Sequence, residues 1–271
     1  MPELCHTPGV VIRARRDKDV LLTLLTPTLG RISVIAKGAR SLKGPQMSLS
    51  QVFCYGDYEL YRRGEIYWLR TGELKDNFYG VAQRLDALNL ASYFCDVASL
   101  ASEPDVPAAE LMRLLLNCLA FLERETYPDL LIKGVFEWRV LAMQGLSPSL
   151  GSCPRCGRRV EDICAAFPTE NFTLDIAQGA LLCGKCRGGQ VGALSCVGNI
   201  PGASASEAVL LSADALAAIR FALRTPMERM MSFRMENPED IRMFSVAGEK
   251  FLRYHMDCDS KALSMYYAMK I

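Results

Sequence analysis

Histidine is nearly absent from this chain. Its 271 residues hold only His6 and His255, so a Ser–His–Asp or Cys–His catalytic arrangement would have to be built on one of these two. His255 falls on a helix that the pattern expects to pack, where a satisfied core or surface histidine is the ordinary outcome. Long apolar runs are missing as well. None approaches the ~18 residues of a membrane span, and residues 1–20 show no apolar signal-peptide stretch before basic charge sets in at Arg13. The expectation is a soluble, cytoplasmic protein. The signatures GxxxxGK[ST], GxGxxG after a strand, GxSxG and HExxH are also absent. The pairs Asp17/Asp19 and Asp257/Asp259 read as a hairpin turn and a helix end rather than metal carboxylates. No catalytic residue is assigned, and a nuclease lacks its carboxylate cluster.

An excess of charge of either sign is lacking, with 31 Lys/Arg against 30 Asp/Glu and a net of +1, but the charge is unevenly spread. Residues 1–80 carry 12 Lys/Arg against 8 Asp/Glu, and residues 81–150 carry 5 against 9. A basic N-terminal module therefore stands beside an acidic one, which points to a polyanion contact at one end. Half of the residues are hydrophobic and 23% are charged, enough for real cores and against a disordered chain. At about 150 residues per domain the length fits two domains with room for a small insert.

Cysteine is what the sequence has in excess: 11, an odd number, where a reducing compartment would keep thiols free. Four form two CxxC knuckles, Cys153/Cys156 and Cys183/Cys186, separated by 26 residues. Such a pair lets four thiolates converge on one Zn²⁺, and four ligands leave no open catalytic position. The gap exceeds the usual ~15–20 residues. A hairpin using Phe167, Phe172, Leu174, Ile176 and a Gly179 turn would absorb it. Cys164 and Cys196 are spare, whereas Cys5, Cys54, Cys95, Cys118 and Cys258 read as small buried hydrophobes.

The first 80 residues read as strands over 9–15, 20–26, 31–36, 51–61 and 66–73. Five short antiparallel strands fit a small closed barrel, for which an OB-fold is the common choice. From residue 81 the period becomes helical: 85–100, a helix starting near Pro107, and 129–144, apolar nearly all round and so central. After a Gly/Ser/Ala-rich loop over 188–206, Ser212 caps a helix and Asn237, with Pro238 after it, caps the last. The expected fold is α+β and multidomain. An OB-fold nucleic-acid-binding domain spans 1–80, and a helical (all-α) domain is formed by 81–150 and 191–271. A four-cysteine zinc ribbon over 151–190 is inserted into the helical domain.

Single-strand binding needs a basic groove and aromatic faces on which bases stack. Lys37, Arg40 and Lys43 lie in or beside a Gly-containing loop that cannot bury them cheaply. Arg62, Arg63 and Arg70 interleave with Phe53, Tyr55, Tyr58, Tyr61, Tyr67 and Trp68. Alternation puts Phe53, Tyr55 and Tyr61 on one face and Tyr58 on the other, subject to a bulge near Gly56. About half of the rings should fill the barrel.

Residues 10–16 (VVIRARR), 21–27 (LLTLLTP) with 30–33 (GRIS), 36–40 (AKGAR), 56–61 (GDYELY) and 141–156, a helix end running into the first knuckle, together resemble the RecO family of bacterial recombination mediators. The resemblance runs over nearly the whole chain in order. It implies a non-enzymatic DNA repair protein that binds single- and double-stranded DNA and anneals complementary strands. It also implies work with RecR, and RecF, to load RecA onto DNA coated by single-strand-binding protein, whose C-terminal tail it contacts. Arg13, Arg15, Arg16, Lys37 and Arg40 then fall in the DNA-binding module, to which Lys43, Arg62, Arg63 and Tyr55 are added from the pattern above. Cys153, Cys156, Cys183 and Cys186 fall on a ribbon holding one structural zinc. The tail departs from the family: Leu263 stands where a lysine is usual. The alternative is an OB-fold and zinc-ribbon protein that binds RNA or the ribosome.

Overall fold

Strands of alternating burial open the chain in the computed structural model, which describes residues 3–16, 19–37, 46–167, 169–187 and 208–270. β1 (Glu3–Arg16), β2 (Val20–Thr26), β3 (Gly30–Ala36), β4 (Tyr55–Arg63) and β5 (Ile66–Asp76) form a closed barrel of order β1-β2-β3-β5-β4. The β3–β5 pairing is parallel and the others antiparallel. This is the expected OB-type barrel. Its interior is filled by Val11, Leu22, Leu24, Val34 and Leu60, all fully buried, as period-2 alternation demands. β1 is long enough to pair with β4 along its first half and β2 along its second. A register shift between Val11 and Arg13 supplies the bend between the two pairings.

The fourth strand begins later than expected. Ser48–Ser50 is a 3-10 turn, and Phe53 has a left-handed backbone, φ 74°, ahead of the strand. Phe53 is buried and its N–H donates to the Val11 carbonyl at 2.8 Å. It therefore does not share an outer face with Tyr55 and Tyr61. The bulge expected near Gly56 is present as a register shift between Tyr55 and Gly56.

The helices are α1 (Tyr79–Gln83), α2 (Leu85–Leu100), α3 (Ala109–Arg124), α4 (Asp129–Met143), α5 (Val160–Ala166), α6 (Gly184–Arg187), α7 (Ala213–Arg224), α8 (Pro238–Met256) and α9 (Lys261–Ala268). Two strands fall within the expected ribbon, β6 (Phe172–Asp175) and β7 (Ala180–Cys183), and a third, β8 (Ala208–Leu211), comes from the part expected to be wholly helical; they form a sheet of order β7-β6-β8 because β8 pairs with β6. Two compact units result. One is Met1–Asp129 with Asp259–Ile271, and the other is Leu130–Cys258.

In the first unit α2 packs on α3, α9 and β1. The turn between β2 and β3 is clamped by the 103–108 segment: Arg31 N–H donates to the Glu103 carbonyl at 3.2 Å and Asp105 N–H to that of Leu29 at 3.0 Å. Gly30, at φ +63°, sits directly against the Glu103 and Val106 carbonyls, where no side chain fits. The helices thus fix one end of the barrel.

In the second unit α4 is central as its sequence foretold, with Ile132, Val135, Phe136, Trp138 and Leu141 fully buried. The Trp138 indole donates to the Phe244 carbonyl at 3.1 Å. Ser212 accepts from Ala215 N–H at 3.1 Å and Asn237 from Glu239 N–H at 3.0 Å, the two caps read from sequence. Phe167 follows α5 and lies outside the ribbon hairpin. α5 itself, rather than a longer hairpin, takes up the gap between the knuckles. His255 is satisfied: its Nε2 lies 3.0 Å from the Ile176 carbonyl. No helix among the described residues is long and apolar enough to cross a membrane.

Candidate metal centre and nucleic-acid interface

The four knuckle cysteines come together. Cys153 precedes a tight turn in which Gly157 N–H donates to the Cys153 carbonyl at 2.8 Å and Cys153 N–H to that of Arg158 at 3.0 Å. Gly157 adopts φ +71°, so the turn depends on glycine. Cys183 ends β7 and Cys186 lies on α6. All four sulfurs lie within 4.8 Å of one another, with Cys156 and Cys183 3.8 Å apart. Tetrahedral Zn–S bonds of ~2.3 Å require sulfurs about 3.8 Å apart, so this cluster has the spacing to hold a metal ion. The donor set, all sulfur and tetrahedrally disposable, suits zinc.

Two arginines that the sequence reading passed over support the cluster. Arg155 Nη1 donates to the Cys186 carbonyl at 2.8 Å, and Arg158 Nη2 lies 3.6 Å from Cys183 Sγ. The Arg158 backbone and then its guanidinium draw the Cys156 thiol down to about 6, while burial pushes Cys186 up to about 12. The signal was present in the run CPRCGRR, where cations crowd a future thiolate site. Of the remaining cysteines, Cys54, Cys95, Cys118 and Cys258 are buried as expected, whereas Cys5 is only half-buried. Cys196 lies outside the described residues.

The barrel register decides which basic residues meet. Arg15 pairs with Leu21 and Arg16 with Val20, and Val20 pairs with Ala36, next to Lys37. Val34 pairs with Tyr67, and Tyr67 with Arg62, while Arg63 pairs with Ile66 across the β4–β5 turn. Arg15, Arg16, Lys37, Arg62 and Arg63 are all exposed at this one end, opposite the clamped β2–β3 turn. Arg13 is set back along β1, with Nη2 3.6 Å from the Asp96 carboxylate on α2. Tyr55 starts β4 at the other end, where Lys75 lies 5.7 Å from its ring. Arg40 and Lys43 lie outside the described residues. Arg70 is held 2.8 Å from Glu59.

The aromatic residues divide as expected. Phe53, Tyr58 and Tyr67 are buried, whereas Tyr55, Tyr61 and Trp68 are half-exposed. Buried Tyr58 donates to the Leu49 carbonyl at 3.1 Å. Tyr61 and Trp68 lie on the outer face near the cationic end, a pair that period-2 alternation in both strands could have located. Leu263 is half-buried on α9.

A closed OB-type barrel with cations gathered at one end, followed by helices and a four-cysteine cluster able to hold a metal, defines a class: a multidomain protein with a binding barrel and a metal-knuckle ribbon. The family follows from comparison. Residues 1–78 match the profile described as Recombination protein O N terminal and residues 82–262 match Recombination protein O C terminal, so the chain belongs to the RecO family. It is similar to the DNA repair protein RecO of Acetivibrio thermocellus, 27% identical over 231 residues, 84% of this chain and 83% of that one. The DNA repair protein RecO of Alkaliphilus metalliredigens is 28% identical over 187 residues, 68% of this chain and 73% of that one.

Proposed function

We propose that this protein is a recombination mediator: it binds single- and double-stranded DNA, anneals complementary strands and helps load RecA onto DNA coated by single-strand-binding protein. Its partners in that work are RecR, the C-terminal tail of single-strand-binding protein, and RecF. It acts at the nucleoid in the cytoplasm and without covalent catalysis. The observation that carries the reading is the collection of Arg15, Arg16, Lys37, Arg62 and Arg63 at one end of the barrel in a chain of this family. Annealing needs neutralised phosphates and strands held with their bases accessible, both of which a cationic barrel supplies. Arg13, Arg40, Lys43 and Tyr55 complete the DNA-binding set in this proposal. The cysteine cluster holds one structural Zn²⁺ that fixes the ribbon and takes no part in chemistry.

The test is annealing of two complementary labelled oligonucleotides coated with single-strand-binding protein, followed as salt is raised. Acceleration that fades steeply with salt is expected. No acceleration, together with tighter binding of RNA than of DNA, would transfer the protein to the RNA-binding alternative.

A further inference from the structure

The strand register lays an apolar strip across the outside of the barrel. Leu21 pairs with Ile35, Ile35 with Trp68, Trp68 with Tyr61, and Tyr61 with Leu4, so five neighbouring strands each contribute one outward residue. Leu21 and Leu4 are 41% and 47% exposed, far more than isolated core packing would leave. The interior is already filled from the opposite faces of the same strands, so the strip is surplus to the core. At its centre the Tyr61 and Trp68 rings lie 6.2 Å apart and 10° from parallel. The Arg63 guanidinium carbon lies over both, 5.2 Å from the Tyr61 ring and 5.8 Å from that of Trp68. Cations border the strip: Arg15 pairs with Leu21, Lys37 follows Ile35 by two residues, and Arg62 and Arg63 follow Tyr61. Flat rings set among arginines match the face of an unpaired base and the charge of its phosphate.

We infer that Tyr61 and Trp68 form a stacking site for unpaired bases of single-stranded DNA, with Arg63 poised between the rings and the phosphate of the stacked nucleotide. The inference rests on the DNA-binding reading and adds a basis for telling strand forms apart. In a duplex the bases are already stacked on one another, so only phosphates reach this surface. The cations then serve both forms, while the rings add affinity for single strands alone.

The chain carries its own reporter. It has two tryptophans, and Trp138 is fully buried in the other unit. Titration of the full-length protein with an oligothymidylate of about 15 nucleotides should quench Trp68 fluorescence, and a duplex of equal length should not. Trp68→Leu and Tyr61→Leu keep an apolar side chain on the barrel and remove the ring face. Each should weaken binding of the labelled oligothymidylate by about fivefold or more, with duplex affinity and melting temperature unchanged, and Trp68→Phe should restore much of the loss. Absence of quenching together with unchanged single-strand affinity in both leucine variants overturns the stacking site. If Arg62→Glu still weakens both strand forms in that case, the DNA-binding reading survives. Wild-type protein that binds neither form overturns both. Tighter binding of oligouridylate than oligothymidylate assigns the strip to RNA and overturns the inference.

Discussion

At the residue scale, two charge clusters carry the clearest consequences. Lys133 is fully buried, with Nζ 2.8 Å from Glu137 and 2.9 Å from Glu249, and it also donates to the Ser245 carbonyl and hydroxyl. Burial alone would pull its pKa down, but the two carboxylates outweigh that and hold it up. Lys133→Met leaves the fully buried Glu137 uncompensated and should cost about 3–5 kcal/mol, read by denaturant unfolding. Replacing Lys133, Glu137 and Glu249 together by apolar residues should recover most of that loss, since a buried ion pair is seldom worth more than packing. Two of its three charges were legible: Lys133 and Glu137 stand four apart inside an apolar helix. Glu249 was not, because nothing local ties α8 to α4. The second cluster pins α9. Lys270 lies 2.8 Å from Asp86, which also contacts Arg84. Lys270 first, and then Arg84, hold the Asp86 carboxyl well below the usual carboxylate range against its partial burial. A depressed folded-state pKa gives stability that is full above the unfolded value of ~3.9 and is lost as pH falls below it. Lys270→Gln should therefore melt lower than wild type at neutral pH, and the gap should narrow as pH drops below about 4.

At the element scale, period and caps were readable wherever an element was long. β2, α2 and both capped helices, α7 and α8, lie where alternation, the 3.6 period and the Ser212 and Asn237 caps put them. The pieces that escaped were short. α5 has 7 residues and α9 has 8, too few turns for a periodic signal, and each is held by tertiary packing rather than propensity. Close helix contact was equally hidden. A Cβ on Gly134 would lie 2.5 Å from the Phe244 ring, so α4 and α8 touch through a residue with no side chain. Gly134→Ala should cost roughly 1–3 kcal/mol by overpacking despite alanine's better helix propensity. Thermal denaturation checks it, and a stabilised variant would mean that the contact yields freely. The ribbon makes the opposite case. β6 and β7 have 4 residues each, and strands so short need a cross-link. Structural zinc supplies roughly 10–16 kcal/mol of apparent binding energy in small zinc domains. Cys183→Ser should lose bound zinc, measured by metal analysis, and lose amide protection over 153–187 while barrel protection persists.

At the scale of the whole molecule, the net charge of +1 hides the feature that matters. The basic N-terminal module was visible by counting, but its focus on one end required the register. Residues as far apart as Arg15 and Arg63 converge only because β1 pairs with β2, β2 with β3, and the start of β5 with the end of β3. Counterion release depends on cations that reach phosphates together, not on the total. Five such contacts give a log–log salt slope of about −3.5 for single strands, near −0.7 per neutralised phosphate. Arg15→Glu and Arg62→Glu should each flatten that slope by about 0.7 or more and weaken binding at low salt. Arg253→Glu makes the same change in net charge at an exposed position of α8. If the barrel end is the footprint, its slope matches wild type. If long-range attraction by net charge were responsible, all three variants would shift alike, and the difference would vanish at ionic strengths where the Debye length falls to a few ångströms. Slopes measured for the four proteins side by side separate a built interface from a diffuse field.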